Sequence, residues 1–187
     1  PSQTQCGSCH GGEPGRVLGF SALQLARGGT ALTAGVDAAS ADMGLSLDDL
    51  VARDVLSQVP PEGARYVPPG DETATAALGY LHANCGHCHN PFAAAWRDTR
   101  MVLRLEVDQT DVEGTAVFQS IVGQPLDHFR SQDVSARVEP GRPESSAIVA
   151  RMEARMSTRQ MPPLATEEVD DAGIERITRW VAELPSR

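Results

Sequence analysis

Lysine is absent from the 187 residues: all 16 basic side chains are arginine, set against 25 aspartates and glutamates for a formal charge of -9. A clustered positive field is therefore lacking, which makes nucleic acid and anionic membrane surfaces poor partners and favours a partner protein with a basic docking face. Aromatic residues are also scarce, at 4% of the chain. The length allows one compact domain or two small ones; small domains of that size sit near the lower limit for a self-sufficient core, and a bulky apolar cofactor would supply mass that the side chains lack. No apolar run approaches the length of a membrane span. The opening residues, PSQTQCGSCH, hold neither a basic n-region nor an apolar h-region, so an export signal is expected upstream of this sequence.

Cysteine is the next scarce residue, and its distribution is informative. The four cysteines are Cys6 and Cys9 in CGSCH, and Cys85 and Cys88 in CGHCH; each pair is spaced by two residues and followed at once by a histidine, His10 or His89. C-x-x-C-H is the attachment sequence of a c-type haem: two sulfurs reach the two vinyl groups of one porphyrin, and the adjacent imidazole becomes an axial ligand of the iron. Two further readings compete. A dithiol exchange site normally follows a strand and opens a helix, whereas DETATAALGYLHAN before Cys85 has a helical stripe of Ala74, Ala77, Leu78 and Leu81 running into the motif. A zinc site built from both pairs has enough thiolates, but about 75 residues separate them and both histidines are left unexplained. Two covalently bound haems c are the expectation.

The sixth ligand separates a carrier from a catalyst. Met161 is followed by two prolines that hold the backbone extended, so its thioether would be presented from a stiff loop. Thr166 is the expected N-cap of a terminal helix with Ile174, Ile177, Val181 and Leu184 on one face, ended by Pro185. Met152 and Met156, four residues apart on a helix begun at Ser145 or Ser146, read as the buried face of that helix. Between the motif and the Met loop, MVLRLEV alternates like a half-buried strand, with TAVFQSIVG as its return.

The order of attachment helix, CGHCH, MPP loop and amphipathic helix with Trp180 resembles a class I c-type cytochrome domain over residues 71 to 187. Over the whole chain the pattern is similar to bacterial dihaem c-type cytochromes. This resemblance implies a mainly α fold: a cytochrome c-like domain at 71–187 with a small strand-containing insertion, and a smaller irregular, helical haem-binding region at 1–70. The seam is the Pro- and Gly-rich run VPPEGARYVPPGD. It also implies His89 and Met161 as the axial pair of the second haem, and an exported, periplasmic location.

In the first half, Val17, Leu18, Phe20, Leu23 and Leu25 are available to cover a porphyrin face, and a helix capped by Ser46 is expected to end before Pro60. Met43 stands before that helix as Met161 stands before its own, which makes it the leading sixth ligand for the iron carried by His10; His82, His87 and His128 are the alternatives. By residue type and loop placement, Arg142, Arg159, Tyr66 and Trp96 are candidate propionate partners. The expected function is single-electron transfer between redox proteins, with no catalytic residue required. The alternatives are a peroxidase-like enzyme with one open haem and an electron-transfer subunit of a larger redox complex.

Overall fold

The computed structural model describes residues 3–26, 45–62, 64, 66–129, 131–164 and 166–186. The fold is mainly helical: α1 (Gln3–His10), α2 (Ala22–Leu25), α3 (Leu47–Ala52), α4 (Glu72–Asn84), α5 (Trp96–Thr99), α6 (Ala116–Ile121), α7 (Ala147–Glu153), preceded by a 3-10 turn over Pro143–Ser145, and α8 (Asp171–Glu183).

Two helices build the centre. Helix α4 starts where Asp71 accepts a hydrogen bond from the Ala74 N–H, and its expected stripe of Ala74, Ala77, Leu78 and Leu81 is buried throughout. Helix α8 packs along it through Ile177, Trp180 and Val181. Its cap is Asp170, which accepts from the Gly173 N–H, and not the expected Thr166. Asp170 does a second job that a threonine at 166 is not placed to do: its carboxylate accepts from the Tyr80 hydroxyl of α4 at 2.8 Å. Gly173 permits this approach, since a Cβ there would lie 2.4 Å from the Tyr80 oxygen. Leu23 of α2 and Met152 of α7 join the same core. Burying a side chain such as Leu78 or Ile177 contributes roughly 1.5–3 kcal/mol.

Three expectations are corrected. Among the described residues no strand forms, and the only β pairings are two isolated bridges, Val122 with Val138 and Ala136 with Ser146. The MVLRLEV segment forms neither helix nor strand; Leu103 and Leu105 are buried, and its donors go elsewhere: Leu103 N–H to the His89 carbonyl, Leu105 N–H to His82 Nδ1, and Val102 N–H to the Ser120 hydroxyl. The TAVFQSIVG segment forms α6, because Thr115 caps it and Val117 and Ile121 bury one face at helical spacing. Met152 is buried as expected, but α7 ends at Glu153, so Met156 lies beyond it and is 97% exposed.

Helix α3 begins as read, with a reciprocal capping box between Ser46 and Asp49, and ends before Pro60 as expected, at Ala52.

Candidate cofactor-attachment site

The second motif sits at the end of α4. Cys85 is the C-cap of that helix, and the chain then turns tightly, with the Cys88 and His89 N–H groups both donating to the Cys85 carbonyl, at 3.1 and 2.9 Å. This turn brings Cys85, Cys88 and His89 together on one loop. Gly86 is demanded by the packing: a Cβ there would lie 2.6 Å from the His82 carbonyl oxygen and 3.0 Å from Arg104 Cα. Asn90 locks the loop from inside. Fully buried, it donates to the Gly86 and His87 carbonyls at 2.7 and 3.1 Å and accepts from the Phe92 N–H at 2.9 Å. Sequence reasoning passed over Asn90, although Asn-Pro is a recognisable signal for the Asx turn that it makes.

The first motif lies within α1, where Cys6, Cys9 and His10 stand at positions i, i+3 and i+4 of one helix. His10 Nδ1 lies 2.8 Å from the Arg16 carbonyl oxygen. A carbonyl only accepts, so Nδ1 carries the proton and Nε2 keeps its lone pair, the arrangement by which proteins orient a metal-binding imidazole. His89 is buried, its Nδ1 has no hydrogen-bond partner, and burial together with the nearby Arg151 pulls its pKa down to about 4. A neutral imidazole with a stranded ring nitrogen suits a metal ligand. Among the described residues, the Arg151 Nε is the other buried side-chain polar atom without a partner. Arg151 was missed as a candidate partner for an acidic cofactor group, because its place on α7 resembles an ordinary helix surface position. It is half-buried, and with Arg159 it stacks on the Phe129 ring.

The remaining candidates separate clearly. Met161 is half-buried and its N–H donates to the Arg151 carbonyl at 2.9 Å, which ties the Met loop to the end of α7. Met43 lies outside the described residues. His82 is fully engaged: Nδ1 accepts from the Leu105 N–H at 3.1 Å, so Nε2 carries the proton and donates to the Ser21 hydroxyl at 3.0 Å. Burial, helped by the Arg104 charge, pulls its pKa down to about 4. His128 is exposed beside the Asp98 carbonyl. His87 alone of the three lies against the first motif. Arg142 pairs with Glu139, Trp96 with Arg100, and Tyr66 packs on the core.

One cysteine of each motif meets the other. The Cys9 and Cys88 sulfurs and a His87 ring nitrogen all lie within 4.8 Å of one another, whereas Cys6 and Cys85 stand outside the group. The four thiols therefore do not converge as a tetrathiolate zinc site requires. A disulfide-exchange role fits the second motif no better. Cys85 sits at the negative end of a helix, and burial pushes its thiol up to about 12; burial and the neighbouring Cys9 do the same to Cys88. Exchange needs an accessible thiolate at a helix N-terminus.

No family model, curated protein or solved structure matches the chain. No described helix is long and apolar enough to cross a membrane.

Proposed function

We propose that this chain is an exported, periplasmic electron-transfer protein with two covalently attached haems c, held by Cys6, Cys9 and His10 and by Cys85, Cys88 and His89. The observation that carries this reading is that both motifs fold so that two thiols and an imidazole share one turn of chain, with His10 oriented through its Nδ1–H and His89 buried with a ring nitrogen unspent. Bound haem supplies reversible one-electron chemistry, its potential set by axial ligation and burial.

The protein's own residues then position and insulate. Asn90 and Gly86 hold the second turn closed, the Leu103 N–H anchors the His89 carbonyl, and the Met161 loop is held on the Arg151 carbonyl, from which Met161 would supply the thioether ligand. Arg151 brings an unpaired guanidinium N–H to a site where a propionate carboxylate would accept it. Electron transfer asks for no acid or base, and the charge of -9 suits donor and acceptor proteins with basic docking faces.

The test is haem stoichiometry on chain produced with an export signal in a host that attaches haem outside the cytoplasm. Two haems that survive denaturation, mapped by mass to the Cys6–Cys9 and Cys85–Cys88 peptides, are expected. A chain that remains fully thiol-titratable and binds no haem refutes the proposal. A high-spin ferric fraction that binds carbon monoxide after reduction would instead favour the peroxidase-like alternative.

A further inference from the structure

We propose that two polar ties, Glu13–Arg104 and Ser21–His82, clamp the first attachment segment onto the second motif, so that the haems bonded to Cys9 and Cys88 lie rim to rim as one coupled pair. This deepens the two-haem reading and rests on it.

The sulfurs set the scale. Cys9 and Cys88 belong to different motifs, yet their thiols lie within 4.8 Å of each other. A thioether joins each sulfur directly to a side-arm carbon of its porphyrin, so the two macrocycle rims meet where the sulfurs meet. Backbone also comes close. The Cys88 thiol donates to the Ser8 carbonyl at 3.5 Å, and a Cβ on Gly12 would lie 2.1 Å from the His87 carbonyl oxygen and 2.8 Å from Ala93 Cβ. Only a glycine permits that approach.

Apolar packing contributes only Leu23, the one buried large apolar side chain among residues 3–26, which reaches the core from α2 and not from the motif itself. The polar ties supply the rest. Glu13 and Arg104 are 2.5 Å apart, with side chains only 16% and 30% exposed, so the pair is screened less than a surface ion pair. His82 is pinned by the Leu105 N–H at one nitrogen, which aims the other at Ser21 alone. All four are positioning residues.

With both haems attached, the clamp would set the distance over which a single electron moves between them, one centre oxidised and the other reduced by one electron, with no proton moved and no bond made or broken. One-electron donor and acceptor proteins supply and remove the charge.

Soret circular dichroism of the haem-loaded protein tests this, since adjacent haems give a two-signed exciton couplet and isolated ones do not. Wild type should show the couplet. Arg104→Glu should lose most of it while keeping two haems and the far-ultraviolet helical signal, and the Glu13→Arg, Arg104→Glu double variant should recover it. If Arg104→Glu does not fold, Glu13→Gln and Ser21→Ala together provide the same readout. Wild type with two haems and no couplet, or an undiminished couplet in the variants, overturns the clamp alone. A chain with no haem overturns the two-haem reading and this one together.

Discussion

Replacing Asn90 with alanine removes three hydrogen bonds made by one fully buried amide. Their costs differ. The Gly86 carbonyl belongs to a buried residue and finds no water, so it bears the cost of a stranded acceptor, about 1–3 kcal/mol. The His87 carbonyl and the Phe92 N–H lie nearer the surface and regain solvent, each losing about 0.5–1.5 kcal/mol. The whole substitution should therefore destabilise by roughly 2–6 kcal/mol. Asn90→Asp keeps the acceptor for Phe92 but loses both donors and sets a charge beside two carbonyls, so it should not rescue. Denaturant unfolding of the haem-loaded chain measures the first effect. Peptide mass analysis measures the second, a drop in haem occupancy at Cys85 and Cys88, because the loop no longer presents its sulfurs. A loss below about 0.5 kcal/mol, the range of ordinary surface substitutions, with full occupancy would refute the role given to Asn90.

Gly86→Ala forces a Cβ against the His82 carbonyl and should cost about 1–3 kcal/mol, with reduced haem attachment at the second motif only; equal occupancy of both motifs would contradict the packing. Met161→Ala should convert one haem to high spin and lower its potential by part of the roughly 0.8 V range that axial ligation controls, and an unchanged ferric spectrum would remove Met161 from the ligand set. His82 sets an acid limit. Its folded pKa, about 4, lies below the ordinary 6.5, so the unfolded chain takes up the proton first. Stability should fall from about pH 6.5 down to about pH 4, by a total near 3 kcal/mol, and show no further loss from this group below that. In His82→Asn the slope over that window should flatten; an identical slope would show that the group does not titrate as its burial requires.

Much of the helical frame was legible because its signals are local. The Ala74, Ala77, Leu78, Leu81 stripe defines α4 by itself, and the face of α8 is equally plain; that Asp71 caps α4 emerged only from the structure. Where several capping residues lie close together, as with Thr166 and Asp170, the choice depended on Tyr80, 90 positions away along the chain, and so was not local. The alternation in MVLRLEV placed Leu103 and Leu105 inside, but the strand it suggested does not form, and Val107 at its end is exposed. Alternation does not say which acceptors the backbone will find, and here they were the motif carbonyl and two side chains. For TAVFQSIVG, Thr115 and the spacing of Val117 and Ile121 were available and favoured a helix. The approach of Cys9 to Cys88 has no local signature at all, since it depends on how segments far apart in sequence dock.

The described residues up to position 70 explain why a cofactor suits this chain. They bury only Leu23, Leu47 and Leu50 as large apolar side chains, and they hold five of the nine exposed large hydrophobics, Val17, Phe20, Leu45, Val55 and Val59. Each ordered residue costs on the order of 1–2 kcal/mol of backbone entropy, which three buried leucines do not offset. Val17 and Phe20, each about three-fifths exposed, border the cleft that also contains His82, His87 and Arg104, beside the first motif. An apolar porphyrin face laid against them would remove from water the surface that the side chains leave uncovered, while Glu13 and Ser21 fix its direction. On the two-haem proposal, the few aromatics, the exposed valines and phenylalanine, and the two attachment motifs would follow from one arrangement, in which the cofactor provides core that the side chains leave incomplete.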